Sequence, residues 1–289
     1  MANLICFIAS HVTKERLPQI AQLFDTIKNQ TTFCSIFLSW SAQDDESKSN
    51  MKALLEENKV ITGKYSDLKL SQFEHYTNLL TYAKENSYIM FSDDDDLWSV
   101  DRIDTMQKAL DHYVEVKYKF SRIIFPDYAE LYPNGNIKRK KYKNTKLDVD
   151  HWATIVPYFI VREFFTITSK WLIANRYCDV RFCNYIMRYK SNGIDQTGIV
   201  GNKYPLYIYR IRDDGMCEGA KKITHRHTGN LKGILDTRIT NILIKILDVD
   251  FHTFINMLNI NLEVGIVRTY PDTDSIKIWI IFLFLYWSY

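Results

Sequence analysis

Four consecutive aspartates, Asp93 to Asp96, are the residues of this sequence best suited to do chemistry. Adjacent carboxylates repel one another, so a folded chain tolerates them only where something compensates their charge. They follow the run Tyr88–Phe91, which is apolar throughout and therefore predicts a strand buried on both faces. Ligands of open α/β sheets bind at the carboxyl ends of strands, and carboxylate oxygens suit Mg²⁺ or Mn²⁺. The segment therefore predicts a metal site that would hold a diphosphate.

A simpler interpretation of the same residues is helix capping. Asp96 or Ser99 is a suitable N-cap for the helix that the following residues predict, with the other carboxylates solvated. Capping accounts for one of the side chains and leaves the rest unexplained, so we favour the metal site.

The elements that must position these carboxylates alternate between strands and helices. Short apolar runs predict strands, and apolar residues at helical spacing predict helices between them. The predicted strands are 4–9, 35–39, 60–62 and 88–91, and the predicted helices are 17–28, 51–58, 71–85 and 100–113. This alternation indicates βαβ units and a parallel sheet, which is an α/β fold.

The second half is predicted to be mixed α+β, built on the edge of that sheet. The sequence Pro133-Asn-Gly-Asn136 predicts a hairpin of strands 128–132 and 138–142. We also expect strands at 122–125, 158–166 and 205–210, a short helix at 170–175 and an amphipathic helix at 239–262.

The string Tyr88-Ile-Met-Phe-Ser-Asp-Asp-Asp-Asp-Leu-Trp98 resembles the DxD signature of GT-A fold glycosyltransferases, especially the inverting family-2-like group. The resemblance runs from the first strand to about residue 230. It implies a GT-A, Rossmann-like α/β fold: a mostly parallel sheet flanked by helices, an α+β acceptor half and a C-terminal helical tail. The implied boundaries are 1–115 for the nucleotide-sugar half, 116–235 for the acceptor and catalytic half, and 236–289 for the tail.

The resemblance assigns roles to the carboxylates. Asp95 would be the direct metal ligand, and Asp93 would lie near the ribose and the waters of the metal as a second ligand. Asp96 would face the donor sugar or the acceptor. Asp94 occupies the variable position of the signature and is assigned to the nucleotide side.

The nucleotide pocket of the family matches the ends of the first two strands and the start of the third helix. The implied nucleotide-binding residues are Ser10, His11, Ser41, Lys69, Gln72 and His75. Gln72 and His75 lie three residues apart on one helix face and could reach the nucleotide together, although a histidine there could equally be structural. Ser10 and Ser41 stand where the family often has proline and an acidic residue, so base recognition departs from the family pattern.

Inverting transfer needs a general base for the acceptor hydroxyl. The segment Ser191–Gly198 resembles the family motif that carries it and places Asp195 in that role, with Gln196 where a second acidic residue is common. An ordinary helix N-cap is the alternative for Asp195. Asp213 and Asp214 are the reserve candidates.

The late strand of the family is followed by a loop that often carries a histidine for the metal or the diphosphate. Here Arg212 holds that place, and its guanidinium could pair with a phosphate but could not ligate a metal. His225 and His227 could supply the missing ligand only on a strand, where residues two apart share a face.

Aromatic residues are the candidates for the sugar sites. Trp98, next to the carboxylates, and Trp152, in the segment 150–158 that matches the acceptor groove, could stack on sugar faces or pack in the core. The basic run Lys138–Lys143, with Lys146, is most simply a solvated hairpin tip. An acidic glycan or a membrane surface is the alternative for it.

The implied function is metal-dependent transfer of a sugar, hexosyl or pentosyl, from a nucleoside diphosphate sugar to a glycan hydroxyl with inversion. A UDP-sugar is the default donor, Mn²⁺ or Mg²⁺ the cofactor, and a glycan or glycoprotein the acceptor. A sugar-1-phosphate nucleotidyltransferase is an alternative, although its glycine-rich loop is missing from Ser10–Arg16. A sugar-binding module without turnover is the other alternative.

Composition argues against two further classes of protein, nucleic-acid binders and zinc proteins. A net charge of +3 argues against a nucleic-acid partner. Five cysteines without a repeated CxxC argue against zinc and indicate a reducing compartment.

Location is predicted from the two ends of the chain and from residue usage. The N-terminal residues do not resemble a signal peptide, so a cytoplasmic location is expected. The apolar run 278–287 is too short to span a membrane and predicts packing on the core or on a second subunit, with a membrane-surface contact as the alternative. A sequence rich in Lys, Asn, Ile and Tyr is similar to those of the compact glycosyltransferases of large DNA viruses, which would place it in the host cytoplasm.

Overall fold

The computed structural model describes residues 2–117, 119–142, 149–174, 178–189, 197–201 and 204–211. All of them belong to the first of the two units into which the chain divides, Met1–Gly215. The predicted helix at 239–262 and the apolar run 278–287 lie outside the described residues, and the predicted domain boundaries stay predictions.

A seven-stranded sheet begins with four parallel strands from the first half of the chain. These are β1 Asn3–Val12, β2 Ser35–Ala42, β3 Ile61–Tyr65 and β4 Ser87–Asp93, in the spatial order β3-β2-β1-β4. The helices between and after them are α1 Leu17–Lys28, α2 Asp45–Glu57, α3 Gln72–Leu79 and α4 Arg102–Glu115. A reciprocal capping box of Ser71 and Glu74 starts α3. Each predicted βαβ element of this half is confirmed, with shifted ends.

The second half completes the large sheet and adds a small one. Its strands are β5 Leu97–Trp98, β6 Arg122–Ile124, β7 Asp127–Leu131, β8 Ile137–Lys141, β9 Thr154–Pro157, β10 Thr197–Ile199 and β11 Tyr207–Arg210. Antiparallel β9 lies between β4 and β6, and β10 lies parallel to β6 at the edge. The small sheet has the order β5-β11-β7-β8, and its β7–β8 hairpin is the predicted one.

The segment predicted as a strand at 158–166 is a helix, so this prediction was wrong. Helix α5 runs over Tyr158–Ile167, and α6 Lys170–Ile173 and α7 Cys178–Arg188 follow it. Aromatic and β-branched residues favour a strand locally. However, the buried residues Ile160, Val161 and Phe164 recur at helical spacing and place one face of α5 against the core. Tertiary burial therefore outweighs local preference here.

Strand β1 is buried on both faces and separates two hydrophobic clusters. Leu4, Cys6 and Ile8 pack with the core residues of α1 and α4. Ile5 and Phe7 point to the opposite face, toward α3, α5 and α7. Alternation of side chains along a strand produces this division.

The helices on both faces of a mostly parallel sheet confirm the predicted α/β class. In the described ranges, none of the helices combines the length and the apolar character needed to cross a bilayer.

Candidate active site

The carboxyl end of β4 lies where the strand order of the parallel sheet reverses. Strands β1, β2 and β3 follow one another outward on one side, whereas β4 pairs with β1 on the other side. In open α/β sheets, ligands bind in the crevice outside the strand ends at such a switch point. Because β4 ends at Asp93, the carboxylate segment Asp93–Asp96 lies at this crevice beside the end of β1.

Asp94 is buried, with 3% of its surface exposed, and it is bound by two residues from the end of β1 and the loop after it. Ser10 Oγ donates to Oδ2 of Asp94 at 2.6 Å. Arg16 Nη1 lies 2.8 Å from Oδ1 and 3.0 Å from Oδ2. This pairing compensates a buried charge that would be strongly destabilising without a partner.

Asp93 is engaged by α3 and by the 3₁₀ turn His151–Ala153. Gln72 Nε2 donates to Oδ1 of Asp93, and His151 Nε2 lies 3.3 Å from the same oxygen. Burial alone would raise the pKa of Asp93, but the attraction and hydrogen bond of His151, helped by Gln72 and Arg16, hold it below its ordinary value. Burial would lower the pKa of His151, and Asp93 raises it above the ordinary value instead. The contact therefore favours an ionised Asp93 beside a protonated His151.

Asp95 and Asp96 are held by Arg210 at the end of β11. The Arg210 backbone N–H donates to Oδ1 of Asp96 at 2.7 Å, and its Nε donates to the backbone oxygen of Asp95 at 2.8 Å. Oδ2 of Asp96 is buried without a well-formed hydrogen bond among the described residues, and the Tyr207 hydroxyl lies close to this carboxyl group. Burial, and then the negative charge of Asp93, raise the pKa of Asp96 well above its ordinary value. Asp96 is therefore readily protonated, unlike Asp93.

A stack of planar side chains lies beneath the carboxylate segment. The Arg102 guanidinium lies 4.7 Å from the Trp98 ring and 4.4 Å from the Tyr207 ring, and Tyr207 stacks on Trp152 at 4.4 Å. Arg102 Nη2 also donates to the backbone oxygens of Phe91 and Trp152. Trp98 is 3% exposed and Trp152 is 4% exposed, so this geometry favours the packing interpretation for both tryptophans.

Tyr207 connects this stack to the carboxylate segment. Its hydroxyl oxygen accepts the backbone N–H of Asp93 at 3.0 Å. The Trp98 indole N–H donates to Ser92 Oγ at 2.9 Å, one residue before the segment. The stack therefore fixes the backbone from which the carboxylates project.

Two histidines and two serines form a connected group at the ends of β1 and β2. His11 Nδ1 lies 3.0 Å from Ser41 Oγ, which lies 3.3 Å from Nε2 of His75. His75 Nδ1 in turn lies 2.9 Å from Ser39 Oγ. His75 is 1% exposed and lies beneath Ser41, whereas His11 is partly exposed. Of the two predicted histidines, His11 is thus the one that a ligand could touch directly.

Positive charge lies close to His11. Burial, and then the charges of Lys69 and Arg16, lower the pKa of His11, against the opposing effect of Asp94. Lys69 is exposed, and the Arg16 side chain is 31% exposed. The end of β1 therefore presents two cations and a neutral imidazole.

The described residues do not form a ready-made metal centre. Within the described ranges, no group of three or more His, Cys, Asp or Glu side chains is arranged to hold a metal ion. The carboxylates suit Mg²⁺ or Mn²⁺ chemically, yet Asp93 and Asp94 are already bound by His151 and Arg16. Metal binding at Asp93 and Asp95 stays a prediction.

Several residues with predicted site roles lie outside the described part of the chain. They are the candidate base Asp195, its reserves Asp213 and Asp214, the phosphate candidate Arg212, and His225 and His227. The structure brings together the predicted residues Ser10, His11, Ser41, Gln72 and His75 with Asp93 and Asp94.

Sequence reasoning missed four residues that hold the carboxylates: Arg16, His151, Tyr207 and Arg210. Arg210 lies two residues before Arg212, in the late strand that the family resemblance singled out. The basic residue after the first strand was the available signal for Arg16. Tyr207 begins the same late strand, and His151 lies in the segment 150–158 that the resemblance matched to the acceptor groove. Neither segment indicated a contact with the carboxylates, because both residues reach them only through the fold.

No protein-family model matches this sequence, and no match was found among the curated proteins. Its fold is similar to several solved structures. Residues 1–349 of S. aureus TarS align with a TM-score of 0.52 and 9% identity, over 72% of this chain and 60% of that one. The same TarS fragment in complex with UDP-GlcNAc aligns with a TM-score of 0.52 and 8% identity, over 73% and 59%.

A mannosyltransferase, PcManGT from Pyrobaculum calidifontis in complex with GDP-Man and Mn²⁺, aligns with a TM-score of 0.49 and 12% identity, over 74% of this chain and 58% of that chain. The present chain spans about three fifths of the length of the TarS fragment. At such low identity, the TarS comparison shows a shared fold and agrees with the α/β architecture described above.

Proposed function

We propose that this protein is a glycosyltransferase that moves a sugar from a nucleoside diphosphate sugar to a hydroxyl group of a glycan. The observation that carries the proposal is the crevice at the switch point, where the carboxylate segment Asp93–Asp96 lies beside a cluster of donors from β1 and β2. The TarS structure with UDP-GlcNAc shares this fold and supports a nucleotide-sugar donor, with a UDP-sugar as the first choice.

The cationic end of β1 is the proposed diphosphate site. The Arg16 side chain stays partly exposed while it holds Asp94, and the charges of Arg16 and Lys69 both act on His11. Charge-assisted hydrogen bonds from such groups are the strong contacts of phosphate oxygens. These residues would bind the donor and stabilise the diphosphate as it leaves.

The transfer step needs a base on the acceptor side. In the proposed reaction the acceptor oxygen attacks the anomeric carbon as the bond from that carbon to the diphosphate oxygen breaks, which inverts the configuration. Asp195 would take the proton of the hydroxyl. This role rests on the resemblance of Ser191–Gly198 to the family motif, since Asp195 lies outside the described residues.

Calorimetric binding of UDP and GDP tests the donor site. Each nucleotide is titrated with Mn²⁺ and with EDTA into the wild-type chain, into Asp95→Ala and into Asp25→Ala. Asp25 is exposed on α1 and serves as a matched control. We expect one nucleotide to bind the wild type and the control, with binding lost in Asp95→Ala. If EDTA also abolishes binding of this nucleotide to the wild type, binding requires the metal ion.

Turnover separates the proposal from its alternatives. A panel of UDP- and GDP-sugars is incubated with glycan acceptors, and the released product is identified. Nucleoside diphosphate release supports sugar transfer, whereas pyrophosphate formation from a sugar phosphate and a nucleoside triphosphate indicates a nucleotidyltransferase. Binding without turnover indicates a sugar-binding module, and no binding at all refutes the donor site.

A further inference from the structure

The group His11–Ser41–His75–Ser39 is a continuous hydrogen-bonded chain that runs from a partly exposed histidine into the core. Its three contacts measure 3.0 Å, 3.3 Å and 2.9 Å in that order. Ser39 is fully buried and Ser41 is 1% exposed. The inner members therefore exchange no hydrogen bonds with bulk water, and their protons must be shared along the chain.

Each of the four side chains in this hydrogen-bonded group has one proton to donate. Burial, and then the proximity of His11, lower the pKa of His75 to about 4, so its imidazole is neutral near pH 7. A neutral imidazole has one N–H donor and one acceptor nitrogen, and a serine hydroxyl donates one proton. A serine oxygen can also accept two hydrogen bonds, but Ser41 is buried and its hydrogen-bond partners among the described residues are His11 and His75, so its proton must go to one of them. If His75 donates to Ser41, the Ser41 hydroxyl therefore has to donate to His11.

Two directions are possible, and burial of Ser39 distinguishes them. If His75 donates from Nδ1 to Ser39, the Ser39 hydroxyl proton has no acceptor among the described residues, because His75 is its one hydrogen-bond partner there. Leaving a buried donor without an acceptor is costly. If Ser39 donates to Nδ1 of His75 instead, every proton of the inner chain is used.

The favoured direction determines the state of the outer histidine. Ser39 donates to Nδ1 of His75, Nε2 of His75 donates to Ser41, and the Ser41 hydroxyl donates to Nδ1 of His11. The remaining proton of a neutral His11 must then be on Nε2. That nitrogen has no partner within the described part of the chain and is left for a ligand.

We propose that Ser39, His75 and Ser41 hold His11 as its Nε2–H tautomer, which makes His11 an obligatory hydrogen-bond donor to an oxygen of the bound nucleotide. His75 and Ser39 are positioning residues, since they act through His11 and do not reach the ligand themselves. The identity of the ligand rests on the proposed function, whereas the tautomer of His11 does not.

The charges around His11 select the kind of oxygen. Lys69 and Arg16 lie close enough to lower the pKa of His11. A donor nitrogen near two cations fits an anionic acceptor, and a ligand N–H group would face a donor and be rejected. A diphosphate oxygen is therefore the expected acceptor.

Nitrogen-15 NMR of the full chain, with labelled histidine, tests the tautomer directly. Long-range couplings within each imidazole show which nitrogen bears the proton. The wild type should show His11 as the Nε2–H form. Ser39→Ala removes the hydroxyl that selects the direction, so His11 should become a mixture of both tautomers. Ser87→Ala is the matched control, because Ser87 is also buried but starts β4, at the end of the strand away from Asp93, and bonds to Asn3.

An Nδ1–H form of His11 in the wild type would overturn the proposal. So would an unchanged tautomer in Ser39→Ala, or a shift in Ser87→Ala as large as the one in Ser39→Ala. These outcomes are read without any ligand, so they stay interpretable if UDP does not bind and the proposed function itself fails.

Binding of UDP gives the second measurement. If about half of Ser39→Ala holds the competent tautomer, its dissociation constant should rise about twofold, because apparent affinity scales with the competent fraction. Ser87→Ala should bind as the wild type does. A changed tautomer with unchanged UDP affinity would show that His11 does not donate to the nucleotide, which refutes the ligand part of the proposal.

Discussion

The carboxylate segment Asp93–Asp96 and strand β8 each concentrate charge of one sign in a few consecutive residues. In the carboxylate segment, Asp94 and Asp96 are 3% and 1% exposed and bind partners 78 and 114 residues away in sequence. On β8, the Arg139 side chain is 51% exposed and binds Asp127, which is 12 residues away on the other strand of the hairpin.

The difference between these regions lies in how their charges are balanced. Strand β8 is the edge of the small sheet, and Arg139, Lys140 and Lys141 pair with the adjacent β7 while they remain partly or largely exposed. Charged edge strands of this kind also discourage pairing with another sheet. The carboxylate segment instead draws its partners from several elements into one buried crevice. Burial and distant partners therefore distinguish the carboxylate segment, which is the candidate site, from the more exposed charges of β8.

The largest expected effect comes from removing the cation that holds Asp94. Arg16→Met leaves a buried carboxylate with the Ser10 hydroxyl as its remaining bonded partner in the described residues. We expect the free energy of unfolding at pH 7 to fall by about 3 kcal/mol, at the lower end for a broken buried pair, because Arg16 is partly exposed. Urea denaturation measures this change. A loss below about 1 kcal/mol would show that Asp94 behaves like an exposed charge.

Acid should destabilise the crevice through His75. The folded pKa of about 4 lies below the ordinary value of 6.5. The unfolded chain therefore takes up a proton below pH 6.5 that the folded chain refuses until about pH 4, and stability is lost as the pH falls through this window. Between pH 7 and pH 5, the wild type should lose about 2 kcal/mol more than His75→Gln. Equal losses in urea titrations of the two proteins would contradict the prediction.

Removing the exposed donor should affect binding more than stability. His11→Ala deletes the proposed ligand contact and leaves the Ser41 hydroxyl without its acceptor, but the His11 side chain is partly exposed and water can enter, so the free energy of unfolding should fall by about 1 kcal/mol. Calorimetry should show UDP affinity reduced about tenfold, the value of one hydrogen bond to a charged acceptor. Unchanged affinity would place the nucleotide away from the end of β1.

The smallest effect is expected on β8. Arg139→Met removes a largely exposed side chain, and Lys141 stays within 3.9 Å of Asp127. The expected loss of stability is below about 1 kcal/mol, and added salt should reduce it further. Denaturation alongside Arg16→Met provides the direct comparison. Similar losses in the two variants would remove the distinction between the regions.

The parts of this molecule that could be predicted from sequence are those with a local signal. The strands and helices of the first 115 residues follow from apolar periodicity, and Gly135, with its φ of 81°, marks the hairpin turn. The carboxylate segment was found because a buried strand precedes it. The family resemblance then assigned Ser10, His11 and Ser41, at the ends of the first two strands, to the pocket beside it.

The other features of the site depend on contacts between residues that are far apart in the sequence. Arg16, His151, Tyr207 and Arg210 meet the carboxylates only after the sheets assemble. Helix α5 was misread because its aromatic and β-branched residues suit a strand until the helical spacing of its buried face is considered. The burial of Trp98 and Trp152 follows from the stack around Arg102, which joins three separate segments.

The position of β11 in the chain has a consequence for synthesis on the ribosome. Strands β1 to β4 pair among themselves, but the backbone of Asp93 and the side chain of Asp96 are held by Tyr207 and Arg210, each 114 residues later. At a translation rate of about 5 to 20 residues per second, the carboxylate segment waits about 6 to 23 s for these partners. During that interval β4 of the nascent chain is followed by aspartates that repel one another and that still lack Tyr207 and Arg210 as partners. Crevice assembly is therefore late, and a chain that stopped before residue 207 would keep the parallel strands without the contacts that hold the segment in place.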